Sequence, residues 1–546
     1  MGHLTLPLAR RMCAGVLLVA IAACSHVPVK TSGGRAAWTT PHVLRIADIA
    51  DPDHLNPYLS TMDVTYDLSS LMYSYLVIAD EHGRLTGDLA TGVPTVANGG
   101  ISSDGRTYVY HLHRGVLWHD GMRFTARDVV ASWRAVVDPA NDTLHREGYD
   151  RIAAIETPDD YTVIVHLKQR YPAFVSQFFA PLQEGGKPVL PAHVLAGMGN
   201  FNTGSLSSHP IGTGPFRFVS WQRGEKIVME RFDRYFKGVP KLRRIEYRIL
   251  PDDNTMLNET RAHHIDLVIA PPQAQVDGYR SIEGVATELA PWNAQVLMIF
   301  NARKPALHDS AVRRAIAYAI DKKSIIAKIS HNVGEISYNT YPRTALGYER
   351  LAPYGYDPER AQALLQKDGW VPGADGIRVR NGERLSFTLA SITGAATLER
   401  MALDMQSELR TVGIDMSIKA YPYNTIFAID GPIYRGIYDA AIYSQTLNWD
   451  PNVLDYVGCN LWYPKGENTF GYCNHDLDAL EAAGLQTDDT ARRIAIYRKA
   501  GRIIWHDLPY LPLYQYRRLI VHNNDLKNYS VNPTSTPWWN AYKWDI

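Results

Sequence analysis

The stretch LWHDGMRFTARDVVASW places His119 directly beside Asp120, a pair whose chemistry would suit an acid–base or metal site. Such a pair does nothing alone, because catalysis needs a third group from elsewhere in the chain. Asp120 and Gly121 also form a strong turn signal. Thr125, with Asp128 three residues later, has the form of a capping box that starts a helix. We interpret this stretch as a structural corner, with a catalytic role for His119 as the alternative.

Other histidines have spacings that resemble those of metal ligands. His111 and His113 would share one face of a strand, and His263, His264 and Asp266 lie together in RAHHIDL. The first pair has no third ligand close in sequence, and adjacent histidines point in different directions on any regular element. We therefore predict that neither group binds a metal.

The sequence lacks the short motifs of the common enzyme classes. It contains no G-x-S-x-G elbow, no H-E-x-x-H and no G-x-x-x-x-G-K-[ST] phosphate loop. The run GTGP at 212–215 lacks the third glycine and the following helix of a dinucleotide-binding loop. These absences argue against an enzyme, and we expect no cofactor.

Length and charge narrow the function classes further. A chain of 546 residues is too long for one ordinary core, so two or three domains are expected. Lys and Arg together number 56, and so do Asp and Glu. A balanced charge gives no reason to expect nucleic acid as a partner. The 32 Tyr and 12 Trp would suit a surface that lines a ligand, although they would equally suit a core.

The first residues form an export signal. Arg10 and Arg11 precede the apolar run CAGVLLVAIAA, which is short for a membrane span and ends in small residues before Cys24. This pattern resembles a bacterial lipobox, with residues 1–23 as signal peptide and Cys24 as the lipidated first residue of the mature chain. An ordinary cleaved signal with a stray cysteine is the alternative. Residues 24–40 lack hydrophobic periodicity and are interpreted as a tether.

Two cysteines remain after Cys13, in the leader, and Cys24 are set aside. An even remainder in an oxidising compartment favours one disulfide between Cys459 and Cys473. His475 lies nearby, but a zinc site would need further ligands and no CxxC or HxxxH accompanies it. We predict the disulfide.

Helix and strand signals alternate along the mature chain. HVLRIADI and RTYVYHLH are predicted strands. DPERAQALLQKDGW predicts a helix with Asp357 as N-cap, Pro358 at the first position and an end at Gly369. TLERMALDMQSELRTVGIDMSI is typical of helix followed by strand. This alternation indicates an α/β fold.

Five long stretches together resemble the peptide-binding class, family 5, of the bacterial solute-binding proteins that serve ABC importers. They are SSDGRTYVYHLHRGVLWHDGMRFTARDVVASW, HPIGTGPFRFVSWQRGEKIVMERFDRYFKGVPKLRRIEYRI, IFNARKPALHDSAVRRAIAYAIDKKSI, YDPERAQALLQKDGW and DLPYLPLYQY. They keep the family's order and span roughly residues 43–520. In that family the Trp-His-Asp-Gly turn is structural.

The resemblance implies the type II periplasmic-binding-protein fold, in which two α/β lobes close on a ligand and the first lobe carries an extra subdomain. The implied boundaries are 41–72, 206–293 and 513–546 for lobe I, 73–205 for the extra subdomain and 294–512 for lobe II. Ligand contacts with both lobes would shift an open–closed equilibrium.

The resemblance also locates a departure from the family. Peptide-binding members hold the ligand's α-ammonium with an Asp three residues before an acidic-Pro pair. Here that pair is Asp450-Pro451, and Leu447 occupies the Asp position. Leu cannot pair with an ammonium group. Either another acid takes the place of the missing Asp, or the ligand has no free amino terminus at this point. Asp63 is the candidate for the substitute acid. The alternative for Asp63 is that it is an ordinary residue in the first turn of a helix.

The remaining candidate ligand-binding residues come from the segments that line the cleft in relatives. They are Met62, Trp292, Asn293, Ser444, Gln445 and Trp449. The two tryptophans would equally suit a core.

The leading hypothesis is a monomeric, lipid-anchored extracytoplasmic receptor that delivers peptides or peptide-like solutes to ABC permease and ATPase subunits. Members of the class also take nickel complexes, haem, opines and sugars, so the sequence does not name the ligand. The alternative is a secreted hydrolase or metalloenzyme on an α/β scaffold.

Overall fold

The computed structural model describes residues 34–546, except 61, 144–145, 147, 182–185, 270, 344, 429, 448–449, 463–465 and 533–537. The predicted signal peptide, Cys24, most of the tether and Trp449 lie outside the described residues. The folded body begins at Trp38 and runs to Ile546. No helix among the described residues is long and apolar enough to cross a membrane.

The strands are β1 (Val43–Asp48), β2 (Val77–Ala79), β3 (Leu85–Gly87), β4 (Thr107–His111), β5 (Ile152–Asp159), β6 (Thr162–Leu167), β7 (Phe216–Gln222), β8 (Lys226–Arg231), β9 (Arg244–Ile249), β10 (Leu267–Ile269), β11 (Val285–Phe300), β12 (Gly334–Glu335), β13 (Val371–Pro372), β14 (Arg378–Arg380), β15 (Glu383–Arg384), β16 (Ser386–Ile392), β17 (Asp415–Tyr421), β18 (Ala440–Thr446) and β19 (Tyr510–Asn523).

The α-helices are α1 (Asp63–Met72), α2 (Ala126–Val137), α3 (Phe174–Gln177), α4 (Ala192–Gly197), α5 (Asp253–Arg261), α6 (Val276–Arg280), α7 (Pro305–His308), α8 (Ser310–Ala319), α9 (Lys322–Ser324), α10 (Pro358–Lys367), α11 (Ala396–Thr411), α12 (Tyr423–Ile426), α13 (Leu454–Val457), α14 (His475–Gly484) and α15 (Thr490–Asp507).

One mixed sheet runs through the folded body. Among the described residues its strand order is β17-β16-β18-β11-β19-β10-β1-β9-β8-β7, and β12 pairs with β19. The long strands β11 and β19 are antiparallel to each other and occupy the middle of this order. A separate sheet, β4-β6-β5, lies within the segment proposed as the extra subdomain.

Hydrophobic burial groups most of the described residues into two halves on either side of this middle, although one small cluster combines Val333 with Val276 and Leu519. Most of the first half packs in one cluster, which runs from Leu44 to Ala290 and continues from Ile520 to Ile546, and a smaller separate cluster includes Ala47, Met256 and Val521. The second half has two clusters, one on each face of its part of the sheet. Val296 and Met298 belong to one, and Leu297 and Ile299 to the other, as the period of two along a strand requires.

The local signals in the sequence predict their elements well. Thr125 and Asp128 form the capping box at the start of α2, which ends before Asp138. Asp357 caps α10, whose first residue is Pro358. These predictions succeed because the interactions that decide them lie within a few residues of each other.

Candidate functional site

His119 has a structural role, because both of its ring nitrogens are hydrogen-bonded to the backbone. Its Nδ1 accepts a hydrogen bond from the Gly212 N–H at 3.2 Å, so Nε2 carries the proton and donates to the Gly214 carbonyl at 3.0 Å. Burial lowers the pKa of His119 to about 4, which keeps the ring neutral. The neighbouring Asp120 accepts from the Met122 N–H and forms the predicted turn. The structural interpretation of this stretch is confirmed.

The same contacts explain the run GTGP. A Cβ on Gly212 would lie 1.9 Å from the Met72 carbonyl oxygen, and one on Gly214 would lie 2.5 Å from the Met72 carbonyl carbon. The two glycines therefore allow this loop to pack against the end of α1. Their role is close backbone approach, not phosphate binding.

The histidines of RAHHIDL do not converge. His263 stacks on Trp38 with ring centroids 4.1 Å apart. Asp266 is buried and pairs with Arg45, whose Nε lies 2.7 Å from the carboxylate. His264 instead faces Glu259, with 3.3 Å between Nδ1 and Oε2.

One short stretch of β11 and β19 lies where the strands of both halves end. In the first half β1 is parallel to β9 and β10, and in the second half β16 is parallel to β17 and β18. The registers Ile269↔Ile520 and Ala294↔Thr446 place residues 291–295 and 515–518 at or just beyond the carboxyl edges of both sets. Ligands of open α/β sheets bind at such edges.

A bulge interrupts the pairing of β11 with β19 at this point. Pro291 is opposite Arg517 and Gln295 is opposite Gln515, so the three residues 292–294 are opposite one. The Gln515 amide nitrogen fixes the bulge by donating to the carbonyls of Trp292 at 2.6 Å and Ala294 at 3.0 Å.

Several predicted site residues meet around the bulge. The Leu447 N–H donates to the Asn293 carbonyl at 2.6 Å. Ser444 and Gln445 lie on β18 opposite Val296 and Gln295. Asn293 is buried, whereas Gln445 and Leu447 are partly exposed and Ser444 is exposed.

Met62 and Asp63 lie at the start of α1. Met62 occupies the N-cap position, and Asp63 is the first helical residue, as the structural alternative for it predicts. Met62 is partly buried and Asp63 is exposed. An acid in the first turn interacts favourably with the helix dipole. That role is compatible with ligand binding, because the exposed carboxylate remains accessible.

Beneath the bulge lies a buried charge cluster that the sequence does not reveal. Arg518 stacks under Trp292 with its guanidinium carbon 4.3 Å from the ring centroid, and its Nη2 lies 3.2 Å from Asp67 Oδ2. The Tyr247 hydroxyl donates to Asp48 at 2.5 Å. Burial raises the pKa of Asp67 to about 7, with Asp63 and Asp48 adding to the rise and Arg518 opposing it.

The Asp450-Pro451 pair is held by a second buried network. Asp450 Oδ2 lies 2.7 Å from Arg493 Nη2, and both side chains are almost fully buried. Glu481 accepts from the Asn452 amide at 3.0 Å and from the Val453 N–H at 3.1 Å. Asp450 is thus an anchor for the loop after β18, and its carboxylate is already engaged.

A disulfide joins Cys459 to Cys473, as predicted. Because each sulfur is bonded to the other, neither is a thiolate that could hold a metal together with the exposed His475.

Comparisons with known proteins agree with this geometry. The family model described as bacterial extracellular solute-binding proteins, family 5 middle, matches residues 85–463. The chain is 26% identical over 544 residues to the oligopeptide-binding protein AppA of Bacillus subtilis (strain 168), which covers 97% of this chain and 96% of that protein. It is 26% identical over 488 residues to the glutathione-binding protein GsiB of Pectobacterium atrosepticum, covering 88% and 90%.

Solved structures show the same fold. NikZ from Campylobacter jejuni, in complex with Ni(L-His), matches with a TM-score of 0.74 and 25% identity, covering 93% of this chain and 100% of that one. The expectation of a two-lobed type II periplasmic-binding-protein fold is thereby confirmed. Since the family model covers well over half of the 546 residues, this chain belongs to the bacterial extracellular solute-binding proteins of family 5.

Proposed function

We propose that this protein is the solute-binding receptor of an ABC importer, which captures a peptide or a peptide-like solute between its lobes and delivers it to permease and ATPase subunits. The observation that carries the proposal is the bulge at 292–294, which lies beyond the carboxyl edges of both halves and is hydrogen-bonded to Leu447. Residues from both halves therefore meet where a ligand of this fold would bind.

The proposed lobes are 41–72, 206–293 and 513–546 for lobe I, with 73–205 as its extra subdomain, and 294–512 for lobe II. The hydrophobic clusters support the boundary within β11, because Ala290 packs in the first cluster whereas Val296 and Leu297 pack in the other two. Closure of the lobes would stabilise the bound state through contacts made by both.

The ligand is proposed to be a peptide or a small solute with peptide-like groups. Relatives of this chain are named for oligopeptides and glutathione, and one is solved with a nickel–histidine complex. Because the Leu447 side chain cannot pair with an ammonium group, it favours a ligand that has no free ammonium beside the loop after β18. Micromolar binding needs only about −8 kcal/mol, which a few main-chain hydrogen bonds and aromatic burial can supply.

The proposal includes an extracytoplasmic site of action. The first 23 residues are proposed as a signal peptide and Cys24 as the lipidated residue that holds the protein to a membrane. We further propose that the receptor acts as a monomer.

Mass spectrometry of the purified protein under native conditions tests the function directly. We expect a retained small solute, and calorimetric titration with that solute should reproduce saturable binding. A protein that retains nothing and is not stabilised by mixed tripeptides, glutathione or nickel–histidine would contradict the proposal. Turnover of peptides or esters would favour the hydrolase alternative instead.

A further inference from the structure

Arg170 makes hydrogen bonds to two separate parts of the chain. It follows β6, and its Nε and Nη2 donate to the carbonyls of Asp104 at 3.0 Å and Ser103 at 2.8 Å. Its Nη1 donates to the Gln486 carbonyl at 3.0 Å and lies 3.3 Å from Asp488 Oδ2. One planar guanidinium thus bridges the turn before β4 and the segment before α15.

These two parts belong to different hydrophobic cores. Leu167 and Phe174, on either side of Arg170, pack in the first cluster. Leu477 and Tyr497, on either side of Asp488, pack in a cluster of the second half. The Arg170 contact therefore joins the segment proposed as the extra subdomain to proposed lobe II through residues that lie outside β11 and β19.

The two surfaces fit closely at this contact. Gly105 has a φ of +65°, and a Cβ there would lie 2.5 Å from Asp488 Oδ2. The Asp488 side chain is only 7% exposed, against 25% for Arg170. Separation of the two halves would return both charges to water, so this ion pair can form only when the halves are together.

The contact also lies beside the anchor of the loop after β18. Burial raises the pKa of Asp488, while the positive charges of Arg170 and Arg493 oppose the rise. Arg493 is the partner of Asp450, which lies three residues after Leu447 in the loop after β18. Arg493 is therefore a positively charged neighbour both of the Arg170–Asp488 contact and of the loop after β18.

We propose that Arg170 is a closure latch, through which the extra subdomain holds lobe II in the closed form and slows the release of the bound solute. This inference rests on the proposed function, since a latch has a role only if the lobes open and close. It gives the extra subdomain a part in ligand retention beyond its packing on lobe I.

Spin-label distances test the latch without any ligand. Labels are placed at the exposed positions His111 and Lys499, on opposite sides of the contact. Cys13→Ser and Cys24→Ser leave the introduced cysteines as the only free thiols, because Cys459 and Cys473 are bonded to each other. We expect the parent chain to contain a population with a short distance between the labels, which corresponds to the closed form. In Arg170→Ala the ratio of closed to open molecules should be three- to tenfold smaller. This factor lies between the effects expected from losing an exposed ion pair and from losing a buried hydrogen bond to a charged group.

Three variants make the test specific. Asp488→Asn keeps the side-chain shape and should act in the same direction, and the double variant should be no more open than either single one. Arg127→Ala is the matched control, because Arg127 is an exposed arginine of the same segment whose nearest acid is Asp160, 3.8 Å away. Circular dichroism verifies that each variant is folded.

The same variants are then titrated with a mixture of synthetic tripeptides. Release from Arg170→Ala should be faster than from the parent and from Arg127→Ala by a similar factor. Distances that respond to Arg170→Ala without any tripeptide binding would support the latch and overturn only the peptide proposal. Distances unchanged in both latch variants, or a parent chain that is open with and without tripeptides, would overturn the latch.

Discussion

Both ring nitrogens of His119 are occupied by one loop, through the Gly212 N–H and the Gly214 carbonyl. Protonation of the ring would turn Nδ1 from an acceptor into a donor facing another donor. Burial of the ring is the main cause that lowers the pKa of His119 to about 4 from a usual value of 6.5, and the hydrogen bond to the Gly214 carbonyl opposes this shift. His119, which resembles half of a catalytic pair in the sequence, thus has a structural role that its lowered pKa makes measurable.

We expect His119 to make the protein less stable as the pH falls from about 6.5 to 4. In this window the unfolded state binds the proton and the folded state does not, so linkage lowers the free energy of unfolding, by about 3 kcal/mol at most. Urea unfolding at pH 7 and pH 5 measures the effect. His119→Gln should be less stable at pH 7 by about 1–3 kcal/mol but should lose less stability on acidification. Equal pH dependence in both proteins would contradict this.

Leu447 determines a second prediction at the residue scale. If the ammonium anchor is absent, an N-acetylated peptide should bind about as well as its free-amine form. Leu447→Asp should then strengthen only the free-amine form, by about 1.5–3 kcal/mol, whereas Leu447→Asn serves as the uncharged control. Calorimetric titration with one peptide in both forms measures the difference.

Asp63 is the competing source of negative charge, because it is exposed at the start of α1. If it pairs with the ammonium group, Asp63→Asn should weaken binding of the free-amine peptide and spare the acetylated one. A strong preference for the free amine that survives Asp63→Asn would contradict both interpretations of the cleft.

At the scale of helices and strands, the sequence predicts contacts between residues that are close along the chain and misses contacts between residues that are far apart. The capping box of α2 and the Asp357–Pro358 start of α10 were predictable because their partners are at most three residues apart. The Arg518–Asp67 pair joins residues 451 positions apart, and no local pattern marks either one. The bulge at 292–294 was equally hidden, since it depends on the register of β11 against β19.

The loop between α13 and α14 carries the disulfide, and we expect it to add stability to the second half. The bonded cysteines are 14 residues apart, and closing a loop of this size contributes about 3 kcal/mol by the chain-entropy model. Urea unfolding of Cys459→Ser with Cys473→Ser should show a loss of this order, and reductant should lower the stability of the parent only. Two free thiols at 459 and 473, titrated in denatured protein without reductant, would contradict the prediction.

At the scale of the whole molecule, the family resemblance determined what residue patterns left open. Alternating helices and strands indicate an α/β fold, but many α/β folds satisfy that pattern. The order of five long stretches added the two-lobed arrangement, which the solved relatives then confirmed. The same patterns do not predict the ligand, because the candidate binding residues include charged, amide and aromatic groups that would suit several solutes.

In the proposed function, the protein is attached to a membrane through one atom, the sulfur of Cys24. A single acyl chain binds a membrane only marginally, whereas the several chains of a bacterial lipoprotein should hold firmly. We therefore expect Cys24→Ala to move the exported protein from the membrane to the soluble fraction, measured by fractionation and immunoblotting. Cys13→Ala is the matched control, since Cys13 lies in the predicted leader and its loss should leave membrane retention unchanged. Equal membrane retention of the Cys24→Ala variant would show that another segment anchors the chain.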